Sequence, residues 1–574
     1  MAQQQQQQLN SNIPVSEVFW TLVDKADKKF SKIRDLPYYQ RSRHDTYFCK
    51  VFKVYTQLWK FQQENRQKLI EAGLKRWEIG EIASRIGQLY FGQYMKTSDY
   101  NYLSESYIFY EAIFTRDYFR EGLFSDVNIA NKQLRFLARF LTVCLLLNRR
   151  EMLQQLVNQL KVLVDECKRV FVDSDFKEWK VVVVEIGRFL KVDTGFMNVR
   201  PVRYSLVLDS HPDTLPRVPV AITKRNLKLR DAMLSSFHYN EVKFSEFTID
   251  TFRMLQCLEW DPSGSFYQSG GSKLSQNGAT GTGRISYIQD IADPTLPANP
   301  RKAILYRPSL THFIAVLATI CEELPLDGIL LVYLSASGAG SSGAGNNESG
   351  CINLGSRGDR GSNSIYPSDF LPFTRRPLLL IIDNENSKAF KNVQVITEAE
   401  KGESVAMLLS PSRLPPFVSD CSHSSNGSLF TMFLTAPLQA FCLLLGFSAT
   451  DIDLDLYNKA ETLLSSSLNN WGLALASTDT LDPVWGQVLG DPFIRRLLIR
   501  FIFCQTVLTM YAPVYDKNEF LPTCVPSLPT PVLAPSCSYQ SVILQLAGIF
   551  GATKHFIFSE DLSPKNTIPN MDQL

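Results

Sequence analysis

The spacing of apolar residues changes along the chain, and this change limits the possible folds more than any other feature. From residue 13 to about residue 190, apolar residues recur on one face of successive helices, for example Ile79, Ile82, Ala83, Ile86 and Tyr90. Short polar turns separate the helical stretches, as at residues 148–150. Helices joined by short turns favour antiparallel hairpins, so we predict an α-helical scaffold over residues 13–200.

One pair of these predicted helices resembles a tetratricopeptide (TPR) hairpin. Gly87 in the first helix and Tyr110 in the second have the small and large sizes that this repeat requires at such positions. The turn between the two helices is longer than in that repeat, and its period of about 34 residues does not return. The pattern therefore predicts TPR-like hairpins without a regular repeat array.

Beyond residue 300, continuous apolar runs alternate with helical patterns. The runs that predict strands are 303–306, 328–334, 377–382, 404–409 and, as an edge strand, 555–558. Strands that are apolar on both faces and separated by helices are typical of a mostly parallel sheet. We therefore predict a multidomain α/β fold in which residues 301–574 form a Rossmann-like α/β domain. Within it we predict a long disordered loop at 336–368 and an extended Pro-rich segment at 513–535.

The remaining segments are predicted to be linkers or a disordered leader. Residues 201–300 are predicted to hold a short linker strand, helices over 227–260 and then a flexible loop rich in Gly and Ser. This assignment places His238 inside a helix. The Gln-rich residues 1–12 are predicted to be disordered.

Charge and cysteine content exclude several classes of protein. The chain has 59 basic and 57 acidic residues, and a net charge of +2 cannot hold a nucleic acid through a general electrostatic field. Basic residues cluster only modestly, at Lys224, Arg225, Lys228 and Arg230. We therefore expect nucleic acid to be reached only indirectly, through partners. The eleven cysteines form no C-x-x-C pair, which is typical of a reduced, intracellular protein.

The strongest candidate site for chemistry follows the predicted strand at 377–382. Asp383, Glu385 and Ser387 come at the carboxyl end of this strand, where open parallel sheets collect ligands. Their oxygen atoms could hold a hard cation such as Mg²⁺, in a pattern similar to the D-x-S-x-S adhesion site of von Willebrand A domains, although Glu385 replaces the first serine. The alternative interpretation is that Asp383 and Ser387 cap the following helix.

No other motif predicts catalysis or a cofactor. The G-x-G-x-x-G match at residues 338–343 is followed by a segment that cannot form the helix a dinucleotide site needs, so we interpret it as a flexible loop. A G-x-S-x-G nucleophile motif is absent from the sequence. We expect no cofactor, and we keep as an alternative a metal-dependent or vestigial enzyme that uses Asp383, Ser387 and Ser410.

One apolar segment has the length of a membrane span. Residues 429–447 carry no charge, but Pro437 interrupts them and no cluster of Lys or Arg flanks them. We predict a buried helix here and no membrane insertion. A membrane-associated signalling protein anchored through this segment remains a further alternative.

Several long stretches resemble the SCAI family, named for suppressor of cancer cell invasion. They run in order along nearly the whole chain, from about residue 30 to the end. The most specific are VYTQLWKFQQENRQ (54–67), GLKRWEIGEIASRIGQLY (73–90), RFLARFLTVCLLLN (135–148), VKFSEFTIDTFRMLQ (242–256), FLPFTRRPLLLIID (370–383) and DPFIRRLLIRFIFC (491–504).

This resemblance implies a nuclear protein, found also in the cytoplasm, without enzymatic activity. Family members act as transcriptional cofactors that repress the myocardin-related and serum-response-factor programme. They also act as adaptors in the repair of DNA double-strand breaks and in replication stress. The resemblance therefore implies protein partners of two kinds, transcription coactivators or DNA repair factors, and assigns no residue as their binding site.

Overall fold

The computed structural model describes residues 14–34, 36, 41–171, 176–193, 202–206, 208–215, 225–261, 295–336, 350–355, 363–393, 405–416, 426–447, 452–529 and 537–558. The chain forms two compact units. The first comprises Met1–Gly187 and Pro262–Arg301, and the second comprises Arg188–Asp261 and Lys302–Leu574. The predicted leader at 1–12 lies outside the described residues.

The first unit is built from helices, as the periodicity predicts. They are α1 (Val15–Arg34), α2 (Arg41–Glu64), α3 (Arg66–Glu71), α4 (Arg76–Thr97), α5 (Tyr100–Thr115), α6 (Val127–Leu146) and α7 (Arg150–Val170), and α8 (Lys177–Asp193) continues past the end of the unit. Helices α4 and α5 form the hairpin that carries the TPR-like pattern. A Cβ atom on Gly87 would lie 2.7 Å from the Tyr110 ring, and the Ser106 hydroxyl donates to the Gly87 carbonyl across 2.8 Å. The small-against-large packing predicted for this pair is therefore confirmed.

The second unit contains a six-stranded sheet. Its strands are β1 (Lys228–Phe237), β4 (Arg301–Leu305), β5 (Gly328–Ala336), β8 (Leu378–Asp383), β9 (Ala406–Leu409) and β10 (Thr523–Val525), in the order β10-β9-β8-β5-β1-β4. Strands β1, β5, β8 and β9 are parallel, and β10 pairs antiparallel with β9. Every residue of β5 and β8 is buried, as expected for apolar strands covered on both faces. The predicted α/β fold with a mostly parallel sheet is confirmed.

The described part of this unit also contains helices and two small ribbons. The helices are α9 (Ile249–Cys257), α10 (Leu310–Glu323), α11 (Leu429–Thr435), α12 (Pro437–Leu444), α13 (Leu454–Ala476), α14 (Pro483–Val488), α15 (Pro492–Met510) and α16 (Cys537–Ile549). One ribbon joins β2 (Lys243–Phe244) to β3 (Phe247–Thr248), and the other joins β6 (Ile352–Asn353) to β7 (Ser364–Ile365). Among the described residues of this unit, six short 3-10 helices lie at Pro212–Thr214, Pro367–Phe373, Ser387–Lys391, Ala512–Val514, Asn518–Phe520 and Thr553–His555.

The prediction of helices over 227–260 was wrong in its first part. Residues Lys228–Phe237 form β1, an inner strand, and His238 follows this strand instead of lying in a helix. Leu, Met and Ala in this stretch have high helix propensity, but six consecutive residues of β1 are buried between its neighbours in the sheet. Tertiary burial therefore decides the structure here, and residues 225–261 belong to the α/β unit instead of a linker.

Three predictions near the edges of this unit also need correction. Residues 555–558 do not form an edge strand: His555 ends a 3-10 helix, and Phe556 makes an isolated bridge to Tyr511. The two edge strands are β4 and β10, and β10 lies inside the segment predicted to be an extended linker at 513–535. The loop predicted at 336–368 contains the β6–β7 ribbon, while residues 337–349 and 356–362 lie outside the described residues.

The apolar segment 429–447 is largely buried up to Leu444, as predicted, but forms two helices. Helix α11 ends at Thr435 and α12 begins at Pro437, where a missing N–H is tolerated. Among the described residues, no helix has both the length and the apolarity that crossing a bilayer requires.

Candidate functional site at the carboxyl edge of the sheet

The carboxyl ends of the parallel strands bring polar residues together. Ser335 of β5 lies opposite Asp383 of β8 in the register of the sheet, and it also lies opposite Ser236 of β1. Ser410 follows β9, and its backbone N–H donates to the Ile382 carbonyl. The sequence prediction that β8 delivers Asp383 to this edge is therefore correct.

A hydrogen-bonded pair and a hydrogen-bonded chain cross this edge. The His238 ring nitrogen Nε2 lies 2.9 Å from the Ser335 hydroxyl. The Thr431 hydroxyl donates to Asp383 Oδ2 across 2.6 Å, and it lies 2.7 Å from the Tyr333 hydroxyl. Because Thr431 has one proton and gives it to Asp383, the Tyr333 hydroxyl is the donor in the second contact.

The sequence around Thr431 explains its position. Ser428 is the N-cap of α11, and its hydroxyl accepts from the Thr431 backbone N–H. Because Ser428 fixes the start of α11, Thr431 lies in the first turn of this helix, within hydrogen-bond distance of Asp383 at the end of β8. Asp250 in the first turn of α9 accepts from the Ser428 backbone N–H at 3.0 and 3.2 Å, and this contact ties the two helix starts together.

Burial dominates the electrostatics of this network. It raises the pKa of the Tyr333 phenol well above its ordinary value, and the nearby negative charges of Asp250 and Asp383 add to this effect. The network residues His238, Tyr333, Ser335, Asp383 and Thr431 are at most 7% exposed. A substrate in solvent therefore has no direct contact with the reactive atoms of this group.

The three residues proposed as metal ligands are not brought together. Asp383 faces Thr431, whereas the Ser387 hydroxyl donates to the Ser410 carbonyl across 2.7 Å, and Glu385 is exposed. Within the described ranges, no group of three or more His, Cys, Asp or Glu side chains is arranged to hold a metal ion. These residues instead make structural hydrogen bonds, which join β8 to α11 through Asp383 and the loop after β8 to the end of β9 through Ser387.

Asn384 is the residue of this loop that sequence reasoning missed. Its side-chain oxygen accepts from the Asn386 backbone N–H across 2.7 Å, and its amide group donates to the Ala336 carbonyl. Ser410 completes the loop, because its hydroxyl accepts from the Asn384 N–H and donates to the Asn384 carbonyl. From the sequence, Asp383 and Ser387 are the candidates to cap the following helix. In the structure Asn384 makes the hydrogen bonds that close this turn. An Asn directly after a strand is a known turn signal and could have indicated this role.

The helical unit has a separate groove, which we call the α1 groove. It has a volume of about 240 Å³, and its apolar floor includes Leu58 and Tyr55, which are 0% and 1% exposed. Trp20 lies at the groove and is 44% exposed. Four charged residues lie along the groove in a connected chain of ion pairs, Asp27–Arg85–Glu81–Lys132.

Comparison with known proteins gives a consistent result over most of the chain. The family model described as Protein SCAI matches residues 21–351 and 340–514. Protein SCAI from Homo sapiens and from Mus musculus are each 34% identical over 560 residues, which cover 94% of this chain and 89% of each relative. The Protein SCAI homolog of Dictyostelium discoideum is 27% identical and covers 92% of this chain and 89% of that protein.

Among solved structures, a crystal structure of Chaetomium thermophilum Raptor aligns with 59% of this chain and 30% of that chain. The sequence identity is 12% and the TM-score is 0.36, so the likeness is too weak to bear on fold or function.

Proposed function

Because the chain belongs to the SCAI family, we propose that it is a non-enzymatic nuclear adaptor. In this role it acts as a transcriptional cofactor of the corepressor type and in the repair of DNA double-strand breaks and replication stress. Its partners are transcription coactivators of the myocardin-related and serum-response type, or DNA repair factors. It works in the nucleus and is also present in the cytoplasm.

The observation that carries this proposal is the family match along most of the chain, to relatives that it covers for 89% of their length. Physical features of the chain support it. A net charge of +2 does not favour direct binding to DNA, so partners would provide that contact. Asp383 and Ser387, which the enzyme alternative uses, are 6% and 0% exposed, and this burial favours a structural role for both.

We place the partner surface in the α1 groove and propose an amphipathic helix of the partner as its occupant. The groove combines a buried apolar floor with a half-exposed Trp20, and an exposed Trp beside a pocket is a typical anchor in protein interfaces. The charges along it include both Asp27 and Glu81 and both Arg85 and Lys132, and they are paired with one another. An occupant of balanced charge therefore suits the groove better than a strongly acidic or basic one.

Affinity purification from nuclei with and without DNA damage tests the proposal. We expect the full chain to enrich transcription, chromatin or repair factors. The Trp20→Ala variant should lose most of them, because it removes the apolar anchor without opening the core. A matched control is Val181→Ala, which removes another exposed apolar side chain, 56% exposed, from α8.

Two results would contradict different parts of the proposal. If neither nuclear extract yields such factors, the adaptor function is wrong. If they are enriched equally by the wild-type chain and by Trp20→Ala, the function stands and the groove is not the binding surface. An Asp383→Ala variant that folds but loses a metal-dependent rise in melting temperature would instead favour the enzyme alternative.

A further inference from the structure

A small pocket in the α/β unit contains a buried arginine, Arg495, whose Nη1 atom has no hydrogen-bond partner in the part of the chain that the structure describes. The cavity has a volume of about 40 Å³ and lies between the start of α15, the middle of α13 and the segment from Tyr204 to Leu215. Arg495, in the first turn of α15, is 7% exposed. Its Nη1 atom is buried and has no hydrogen-bond acceptor among the described residues.

Among the described residues that line the pocket, no carboxylate is paired with Arg495. Asp209 is the one carboxylate that lines the pocket, and it lies 3.7 Å from Nε of Arg496 while accepting from the Ser205 backbone N–H. Arg496 donates to the carbonyls of Val202 and Arg203. Burial lowers the pKa of the Arg495 guanidinium, and the only opposing effect comes from the Tyr204 phenol.

A glycine in helix α13, on the opposite side of the pocket, leaves space for the Arg495 guanidinium. Gly472 lies inside α13, where glycine costs about 1 kcal/mol relative to alanine. A Cβ atom at this position would lie 2.7 Å from Nη2 of Arg495. The pocket also has a polar rim that solvent reaches, formed by Ser210 and the exposed Asn469, whose side chains are hydrogen-bonded across 3.3 Å.

We propose that this pocket binds a single oxyanion, a phosphoryl or carboxylate group, with Arg495 as its principal ligand. A buried cation without an acceptor is costly, and an oxyanion supplies both the opposite charge and the acceptors that the guanidinium fork requires. The volume suits one such group and is too small for a nucleotide. This inference goes beyond the adaptor function and does not rest on it.

Titration of the full chain with inorganic phosphate, at constant ionic strength, tests the proposal. We expect a saturable rise in melting temperature, which Arg495→Met abolishes and Arg375→Met retains. Arg375 is a suitable control because it is an exposed arginine of the same unit. Without phosphate, Arg495→Met should melt no lower than the wild-type chain, since it removes an uncompensated buried charge.

Two further titrations identify the source of the oxyanion. In the first, a phosphoserine tripeptide replaces phosphate. If it binds at least 10-fold more tightly than phosphate, the ligand is a partner's side chain, and if the affinities are equal, it is the free ion. In the second, acetate replaces phosphate and shows whether the pocket binds a carboxylate.

If Arg495→Met does not fold, Arg495→Lys provides a second variant. It keeps the positive charge but lacks the paired N–H donors of the guanidinium, and it should weaken phosphate binding at least 5-fold by calorimetry. The proposal is wrong if none of these anions binds, or if they bind the Arg495 variants as tightly as the wild-type chain.

Discussion

Thr431 donates a hydrogen bond to Asp383 across 2.6 Å and so connects the first turn of α11 to the end of β8. The same hydroxyl accepts from Tyr333 of β5, and all three side chains are at most 6% exposed. One threonine therefore satisfies polar groups from two neighbouring strands.

Replacing Thr431 with Val should destabilise the chain by about 1–3 kcal/mol. Valine keeps the shape but removes both the donor to Asp383 and the acceptor for Tyr333, and buried polar groups that lose partners carry a desolvation cost. Urea unfolding measures the change. Thr462→Val is the control, because this exposed hydroxyl bonds only within its own helix and its loss should change stability by less than about 0.5 kcal/mol. Equal effects of the two variants would show that the network contributes nothing specific.

Gly427→Ala should cost about 2–4 kcal/mol, through two separate causes. Gly427 has a φ of +78°, and a Cβ atom there would lie 2.4 Å from Oδ1 of Asp250. Gly551→Ala provides the matched control, because Gly551 has a φ of +64° and no atom within 4 Å of a Cβ. This control should lose only the strain of the left-handed backbone, about 1–2 kcal/mol. A Cβ atom on Gly427 would also lie 2.7 Å from Cγ2 of Ile249. The difference in urea midpoints therefore measures the combined clash with Asp250 and Ile249, and a difference of zero would show that both side chains move without cost.

Glu259→Gln should destabilise the α/β unit by about 3–5 kcal/mol. Glu259 is fully buried and lies 3.3 Å from Nε of Arg203 and 3.1 Å from Nζ of Lys302, both of which are also buried. Removing its charge takes one buried carboxylate away from both cations. The exposed pair of Arg413 and Glu519 serves as the control, since Glu519→Gln should cost less than about 1 kcal/mol. A small effect at Glu259 would show that the two buried cations do not depend on the charge of this carboxylate.

Stability should fall between pH 5 and pH 7.5 because of Glu241. Burial raises the pKa of this carboxyl to about 7, and Asp250 adds to the rise, whereas hydrogen bonds from the His238 N–H and the Tyr306 side chain and the charge of Lys243 oppose it. The folded chain therefore holds a proton that the unfolded chain has released above pH 4.5. The resulting stabilisation is complete below pH 4.5 and is lost as the pH rises through 7, by up to about 3 kcal/mol.

Glu241→Gln should remove this part of the pH dependence while keeping an acceptor for the His238 N–H. Urea midpoints of both proteins at several pH values between 5 and 8 measure the effect. Glu246→Gln, at an exposed position, should leave the wild-type slope unchanged. Parallel curves for wild type and Glu241→Gln would show that this carboxyl titrates near its ordinary pKa.

The sequence predicted two kinds of element correctly: strands in which every residue is buried, and helices whose buried residues recur with the helical period. Strands β5 and β8 are continuous apolar runs, and α4 and α7 have one apolar face, so local composition and packing agree. Strand β1 was missed because its Leu, Met and Ala favour a helix until neighbouring strands bury them. Strand β10 was missed because Pro522 and Pro526 border it. Prolines beside a strand are tolerated at a sheet edge, which a sequence alone does not locate.

For the candidate site, the sequence determined that Asp383 ends a buried strand, because the apolar run before it stops at that residue. Only the tertiary structure decided its partner, since Thr431 lies 48 residues further along the chain and on a separate helix. The same holds for the Arg203 contact of Glu259, across 56 residues, and for the space that Gly472 leaves for Arg495. The physical reason is that hydrophobic periodicity records which face of an element is buried, whereas the hydrogen bonds of a buried polar atom depend on which distant elements the fold brings within about 3 Å of it.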